Sequence, residues 1–158
     1  MQQQFHGFWM GGFEGADHRN GSGTGLDANL ANGHAGDPGR DYAALVAMDI
    51  HVVRESVGWR LLDEAGAAGL ARLRSQASTA AAHGMQVIWT LMHYGWPARL
   101  DPLAREAEFI TAFAAHCAQV CRIVRDVDGP APAFQPINEI SFLAWAATST
   151  GLIPRRPA

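Results

Sequence analysis

The sequence contains no lysine, only two cysteines and no long run of apolar residues. Its 12 basic residues are therefore all arginine, and 15 acidic residues bring the formal charge to −3. Because the arginines do not cluster, the chain lacks the electrostatic footprint of a protein that binds nucleic acid or an anionic membrane surface. No segment approaches the roughly 18 to 20 apolar residues of a membrane-spanning helix, and the N-terminus lacks the basic start of a secretory signal. We therefore expect a cytoplasmic protein that binds neither nucleic acid nor membrane.

Motifs for metals and nucleotides are also missing. The seven histidines include no His-x-x-x-His pair, and Cys117 and Cys121 lie four residues apart on one face of a predicted helix. That spacing is unfavourable for a disulfide bridge, so we expect buried free thiols. The glycines of residues 21–25 are similar to a phosphate loop only superficially, because Leu26 stands where a glycine is required and no apolar strand leads into them. We expect no cofactor and no metal.

The 158 residues, 48% of them hydrophobic, are enough for one folded domain with a core. Residues 5–13, 50–56, 86–92 and 134–138 are short apolar runs that predict strands. Helical patterns separate them over residues 41–48, over residues 61–83 and after Asp101-Pro102, which offers a helix cap followed by proline. The alternation predicts an α/β fold with a parallel sheet, either doubly wound or a (β/α)8 barrel. In both folds the chemistry lies at the carboxyl ends of the strands.

Polar and aromatic residues collect after every predicted strand, as a polyhydroxylated, uncharged ligand requires. Glu139 is the sharpest candidate, because a carboxyl held in a partly apolar pocket can donate a proton near neutral pH. The alternative is a helix first-turn glutamate stabilised by the helix dipole. Arg54 interrupts an apolar strand and must face a carboxylate or a polar cavity, as a structural ion pair or as part of a site. Further candidate ligand contacts are His93, Tyr94 and Trp96, and, in the long connection after the first strand, Asp17 and His18.

In order and spacing, four segments resemble the β-glucosidase-like family 1 enzymes, retaining glycoside hydrolases of the (β/α)8-barrel clan. Residues 8–16, Phe-Trp-Met-Gly-Gly-Phe-Glu-Gly-Ala, look like the family's first strand. Arg54 followed by Trp59 is similar to its second-strand pair, and residues 90–97, Thr-Leu-Met-His-Tyr-Gly-Trp-Pro, look like its third-strand segment. Asn138-Glu139 falls where the fourth strand of these enzymes presents an Asn and the acid/base Glu.

The resemblance implies an O-glycosyl hydrolase of carbohydrate metabolism that acts on a saccharide or glycoside. It implies that Glu139 is the acid/base, that Asn138 meets the sugar 2-hydroxyl, that Arg54 orients the nucleophile and that His93 contacts the sugar. Glu139 would protonate the departing glycosidic oxygen and then activate water against a glycosyl-enzyme intermediate. The sequence departs from the family pattern in two places. Gly12 stands where the family has a sugar-binding Gln, and residues 136–140, Pro-Ile-Asn-Glu-Ile, stand where it has Thr-x-Asn-Glu-Pro, so the resemblance does not imply a particular sugar.

The expected architecture is an incomplete (β/α)8 (TIM) barrel, its first four βα units, over residues 1–158, with an irregular or truncated tail over residues 148–158. A closed barrel typically needs about 250 residues, and the family's nucleophile is a second Glu near the seventh strand. We therefore expect a chain that is catalytically incomplete alone and self-associates through exposed half-barrel edges. The alternatives are a non-catalytic sugar-binding or scaffolding α/β module, and a different small α/β enzyme with Glu139 as its general base.

Overall fold

The computed structural model of the chain describes residues 5–102 and 104–153. Its strands are β1 (Met10–Gly12), β2 (Val52–Ser56), β3 (Gln86–Met92) and β4 (Ala133–Ile137). Its helices are α1 (Ala28–Ala31), α2 (Pro38–Ala47), α3 (Trp59–Ala65), α4 (Ala67–Ala82), α5 (Glu106–Arg125) and α6 (Ile140–Trp145). A 3-10 turn (His34–Gly36) precedes α2, and a π-helical turn (Ala146–Thr150) follows α6. The tail predicted to be irregular from residue 148 therefore starts inside a helical turn, and its residues 154–158 lie outside the described residues.

The strands form one parallel sheet in the order β1-β2-β3-β4. Neighbours in the sheet are thus consecutive in the chain, with Gly12 opposite Arg54 and Thr90 opposite Gln135. A doubly wound sheet reverses its strand order at a switch point, and these four strands show no reversal. The predicted α/β class with a parallel sheet flanked by helices is confirmed.

β3 has the predicted bounds, whereas β1 is much shorter than the predicted residues 5–13. β3 pairs on both sides, and its β-branched and aromatic residues suit a buried strand. β1 pairs only with β2 among the described strands, and two of its three residues are glycines, which weaken a strand. Phe8 and Trp9 precede it and are 84% and 70% exposed, so their aromatic character did not indicate burial.

Two helix predictions need correction. The helix expected over residues 61–83 is divided into α3 and α4 at Gly66, whose φ of 54° is a conformation that glycine adopts at little steric cost. The expected cap at Asp101-Pro102 is wrong, because α5 begins at Glu106. Asp101 closes a separate turn instead, since its Oδ1 accepts a hydrogen bond from the N–H of Ala104 at 2.9 Å.

The long connection between β1 and β2, predicted to be irregular, contains an antiparallel bridge between Arg19 and Gly25, then α1 and the 3-10 turn. α2 begins at Pro38, three residues ahead of the predicted start. Asp37 sets this start, because its side chain accepts a hydrogen bond from the N–H of Arg40 at 3.0 Å and proline suits the first helical turn.

The main core lies between the sheet and helices α4 and α5. Side chains alternate between the two faces of a strand, and Val53, Val87 and Trp89 are buried in this core. The helices cover them with Leu73, Ala77, Ala80, Val120, Ile123 and Val124. A second apolar cluster lies at the carboxyl ends of β3 and β4 and consists of Trp59, Met92, Tyr94, Trp96, Leu100, Ala146 and Ile153. These two clusters fix the loops that follow the strands.

The opposite face of the sheet carries polar residues. Arg54, Thr90 and Gln135 share this face by register, and the hydroxyl of Thr90 donates a hydrogen bond to the side-chain oxygen of Gln135 at 3.0 Å. Among the described strands, β1 and β4 each have one neighbour, so both edges of the sheet are open. Pro136 lies in β4, and an edge strand tolerates its missing N–H.

Of the helices in the described ranges, α5 alone is long and apolar enough to cross a membrane, judged by length and composition. This is weak evidence, because the core helix of a soluble protein passes the same test. Val120, Ile123 and Val124 of α5 pack in the main core. The expectation that the chain does not cross a membrane stays a prediction.

Candidate active site

Polar side chains from three strands meet at the carboxyl edge of the sheet. Parallel strands present their carboxyl ends on one side, so residues distant in the sequence come together there. Arg54 lies within β2, Tyr94 follows β3, and Asn138 and Glu139 follow β4. A continuous set of hydrogen bonds joins these four residues. The sequence predicted this gathering at the strand ends.

Asn138 is the centre of the set. It is only 3% exposed, and its backbone N–H donates to the carbonyl of Met92 at 3.0 Å, which extends the pairing of β4 with β3. Its side-chain Oδ1 accepts a hydrogen bond from Nη1 of Arg54 at 2.6 Å. Arg54 therefore faces a polar group, as expected, but in these contacts the group is an amide and not a carboxylate. Gly12 lies opposite Arg54 in the register, and a Cβ added there would lie 3.4 Å from Cβ of Arg54.

Glu139 stands at the N-terminal cap of α6 in a left-handed conformation, with φ 38° and ψ 64°. Its Oε2 accepts a hydrogen bond from the hydroxyl of Tyr94 and another from Nδ2 of Asn138 at 3.3 Å. A left-handed backbone is uncommon for a residue with a side chain and occurs where the surroundings hold it in place. The residue is exposed, so the apolar pocket expected around its carboxyl is not present among the described residues.

Tyr94 and Trp96, predicted to contact or stack on a sugar, are buried instead. Tyr94 is 6% exposed and Trp96 is 8% exposed, and both belong to the apolar cluster at the strand ends. The Trp96 ring packs edge-on to Phe109 with centroids 6.0 Å apart. This placement does not favour a stacking role for either ring, although the hydroxyl of Tyr94 reaches the site. The sequence could not separate these roles, because an aromatic residue after a strand suits a core and a ligand equally well.

His93 is 2% exposed, and its Nε2 lies 3.4 Å from Oε1 of Glu14. Burial lowers its pKa below the ordinary value, and the positive charge of Arg54 adds to this, whereas the carboxylates of Glu14 and Glu139 oppose it. Burial therefore favours the neutral imidazole. The predicted contact of His93 with the sugar stays a prediction, and because the side chain is buried, only the edge of the imidazole ring could make it. Glu14, which was not among the predicted site residues, brings a second, exposed carboxylate to this edge of the sheet.

Asp17 and His18 occupy the loop after β1. Asp17 is fully buried, and its Oδ2 accepts a hydrogen bond from the backbone N–H of Arg60 at 2.9 Å. Burial raises the pKa of Asp17 to about 7, against the lowering effect of Arg60. His18 is half-buried with its ring edge-on to Tyr94, and burial lowers its pKa. Asp17 therefore joins the loop to the start of α3, and its full burial does not favour the predicted contact with a ligand.

A second polar cluster, absent from the sequence prediction, lies on the helix side of β2. Glu55, 1% exposed, accepts hydrogen bonds from Tyr42 at 2.7 Å and Gln76 at 2.9 Å, and its carboxylate contacts His34 at 3.0 Å. The other ring nitrogen of His34 contacts Asp41 at 2.9 Å. Burial alone would lower the pKa of His34, but its two carboxylate partners raise it above the ordinary value. The cluster fastens α2 and α4 to the sheet.

Two cavities lie near these groups. One of about 260 Å³ is almost wholly apolar and is lined by residues that include Met92, Phe109 and Ile140. The other, of about 320 Å³, lies between α4 and the connection after β1 and includes His34 and Gln76 in its lining. Neither Tyr94 nor Glu139 lines either cavity. Within the hydrogen-bonded set, Asn138 and Tyr94 are buried and Glu139 is exposed at the sheet edge.

Among the described residues, no group of three or more His, Cys, Asp or Glu side chains is arranged to hold a metal ion. Cys117 and Cys121 are free, as expected, but half-buried where full burial was expected. The expectation that the chain uses no cofactor stays a prediction.

No protein-family model matches this chain, and no curated protein matches it at a significant level.

Proposed function

We propose that this chain is an O-glycosyl hydrolase unit that carries the acid/base catalyst, Glu139, of a retaining, β-glucosidase-like enzyme. The observation that carries the proposal is the hydrogen-bonded set at the sheet edge, in which Asn138 and Glu139 of the β4 end meet Arg54 of β2. These are the residues to which the sequence resemblance assigns the acid/base, the 2-hydroxyl contact and the orienting arginine.

The strand order supports the proposed architecture, the first four βα units of a (β/α)8 barrel. In such a barrel consecutive strands are neighbours and every strand is parallel to the next. The observed order β1-β2-β3-β4 and its parallel register have this property. The open edges at β1 and β4 are where further units, or a second copy of the chain, would continue the sheet.

In the proposed reaction Glu139 donates its proton to the glycosidic oxygen as the bond from that oxygen to the sugar carbon breaks. Its exposure allows a leaving group to approach the carboxyl. Asn138 is held by Arg54, so its amide has one orientation at the position proposed for the sugar 2-hydroxyl. The second carboxylate that a retaining mechanism needs, about 5 to 5.5 Å from the first, belongs in this proposal to a part of the barrel beyond these four units.

The second candidate function is a non-catalytic sugar-binding module. The exposure of Glu139 favours it, because a proton donor active near neutral pH is usually shielded in an apolar pocket. The two functions predict different affinities for charged and neutral ligands. A catalytic site binds a cation that resembles the oxocarbenium-like transition state more tightly than it binds the sugar, whereas a binding module recognises the neutral sugar.

Isothermal titration calorimetry with a protonated piperidine iminosugar and with glucose separates the two. The proposal predicts that the iminosugar binds at least about tenfold more tightly than glucose and that Glu139→Gln abolishes the preference. Glu108→Gln is the control, since Glu108 is an exposed carboxylate on α5 that pairs with Arg105. Equal affinities that Glu139→Gln leaves unchanged would favour the binding module, and no binding of either ligand would contradict both functions.

A further inference from the structure

The hydrogen bonds between Arg54, Asn138, Tyr94 and Glu139 have only one possible direction. A guanidinium group can donate but cannot accept. The contact of Arg54 Nη1 with Asn138 at 2.6 Å therefore identifies the amide oxygen and fixes the orientation of the amide. The amide nitrogen, Nδ2, is then directed to the far side of the residue, where it meets Tyr94.

Nδ2 of Asn138 can only donate, and it lies 2.7 Å from the hydroxyl oxygen of Tyr94. The hydroxyl of Tyr94 is thereby an acceptor toward Asn138, and its single proton is left for Glu139 Oε2, its other partner. Tyr94 is 6% exposed, so water does not compete readily for that proton. The donor of each hydrogen bond in the series Arg54, Asn138, Tyr94, Glu139 is thus determined, and the series ends at Oε2 of Glu139.

We infer that Tyr94 is a positioning residue for the acid/base, which holds Oε2 of Glu139 as a hydrogen-bond acceptor and so leaves the transferable proton on Oε1. The role of Glu139 as the acid rests on the proposed function, whereas the hydrogen bond itself does not. Within the described residues Oε1 accepts no hydrogen bond, and Oε2 accepts two. A proton on Oε2 would face the Tyr94 proton, so Oε1 is the oxygen that can carry it.

The packing of Tyr94 supports this role over contact with a ligand. Its ring lies 4.9 Å from the ring of His93, 5.3 Å from that of Phe142 and 6.0 Å from that of His18, measured between centroids. Its backbone has φ 72°, a left-handed conformation that costs free energy and persists where the surroundings enforce it. The neighbours cover the ring and aim the hydroxyl, which is the only part of the side chain that reaches the site.

The chain has two tyrosines, Tyr42 and Tyr94, so labelling with tyrosine that carries ¹³C at the ring carbon bonded to oxygen gives two NMR signals. Tyr94→Phe assigns them. The inference predicts that the Tyr94 signal shifts as Glu139 takes up a proton on acidification, and that Glu139→Gln removes this step. The Tyr42 signal is the internal control, because Tyr42 bonds to Glu55 on the other side of the sheet and Glu139→Gln leaves its response unchanged.

Other titrating groups near Tyr94 are His18 and His93, whose pKa values are lowered by burial, and the carboxylate of Glu14. The steps of His18, His93 and Glu14 remain in Glu139→Gln, with the His93 step moved because the carboxylate of Glu139 raises the pKa of His93. Only a step that is missing from the variant therefore reports Glu139. A Tyr94 signal with the same pH response in both proteins would overturn the inference. The preference for the iminosugar over glucose does not depend on the Tyr94 hydrogen bond. An unchanged Tyr94 signal would therefore refute the inference alone, whereas loss of the iminosugar preference would refute the proposed function.

Asn138→Asp tests whether the amide of Asn138 determines the direction in which the Tyr94 hydroxyl donates its proton. An aspartate replaces the donor with an acceptor, so the Tyr94 proton gains a second carboxylate and the step that reports Glu139 is weakened by at least half. Gln135→Glu is the matched control, because it adds the same charge on β4, where Gln135 bonds to Thr90 and not to Tyr94. An undiminished step in Asn138→Asp would show that the amide does not direct the hydroxyl and would overturn the inference.

Discussion

Gly95 lies directly after His93 and Tyr94, and its lack of a side chain is what lets this loop approach the loop after β1. A Cβ atom added at Gly95 would lie 2.4 Å from Oδ1, 2.5 Å from Cγ and 2.6 Å from the backbone oxygen of Asp17. Ordinary van der Waals contact begins near 3.4 Å. Asp17 is fully buried and bonded to Arg60, so it has no free direction in which to move by the required ångström or so.

We therefore predict that Gly95→Ala lowers the free energy of unfolding by about 3 kcal/mol, the sum of an overpacking cost of about 1 to 3 kcal/mol and a weakened buried hydrogen bond of about 1 kcal/mol. For a chain of this size that corresponds to a fall in Tm of about 6 to 12 °C. Urea denaturation followed by tryptophan fluorescence measures the loss.

Gly36→Ala is the matched control. Nothing lies within 4 Å of a Cβ added at Gly36, which stands in the 3-10 turn before α2. Its substitution should be neutral or stabilise the chain by up to about 1 kcal/mol, because alanine restricts the unfolded state. Equal unfolding free energies for the two variants would refute the account of how the loops after β1 and β3 pack together.

The remaining predictions concern pH and association. Glu55 and Asp41 raise the pKa of His34 in the folded state. The stability that protonated His34 contributes is therefore complete below the pKa of the unfolded state and is lost as the pH rises through the pKa of the folded state. Urea denaturation at a series of pH values should show this decline, and His34→Gln should flatten it. The pKa of Asp17 is raised from 3.8 to about 7, so stability should also fall as pH rises between these values, and Asp17→Asn should remove that fall; a slope unchanged in the variant would contradict the burial of the carboxyl. The open sheet edges and the exposed Trp9 should make sedimentation velocity report a mass that rises with concentration, less so in Trp9→Ser, and a monomer at every concentration would contradict this.

Features set by local chemistry were predictable from the sequence. The apolar run of residues 86–92 predicted β3 with its observed bounds. The helical pattern predicted to end at residue 83 ends at Ala82, and Gly84, with φ 68°, follows in a conformation typical of a helix stop. The gathering of Arg54, Asn138 and Glu139 was expected from the parallel arrangement of the strands, because parallel strands place their carboxyl ends together.

Features set by contacts between distant residues were not predictable. Glu55 is recognisable as part of a buried cluster only when His34 and Tyr42, far away in the chain, are brought to it. The positive φ of Tyr94 and the hydrogen bond of its hydroxyl to Glu139 could not be predicted from the residue type. The start of α5 was missed because an Asp before a Pro can cap a helix or close a turn, and Asp101 closes a turn with the N–H of Ala104.

The proposed role of Glu139 is tested most directly by adding azide as an external nucleophile, in place of the second carboxylate that the proposal assigns to a part of the barrel beyond these four units. With azide present, attack on the sugar carbon of phenyl β-glucoside breaks the glycosidic bond, and the departing phenolate oxygen takes the proton of Glu139. The account predicts azide-dependent formation of glucosyl azide that falls at least about 100-fold in Glu139→Gln. It predicts little change for 2,4-dinitrophenyl β-glucoside, whose leaving group needs no proton, and no turnover of either substrate without azide. Cleavage of phenyl β-glucoside that is independent of Glu139, or no azide-dependent product from either substrate, would contradict the account.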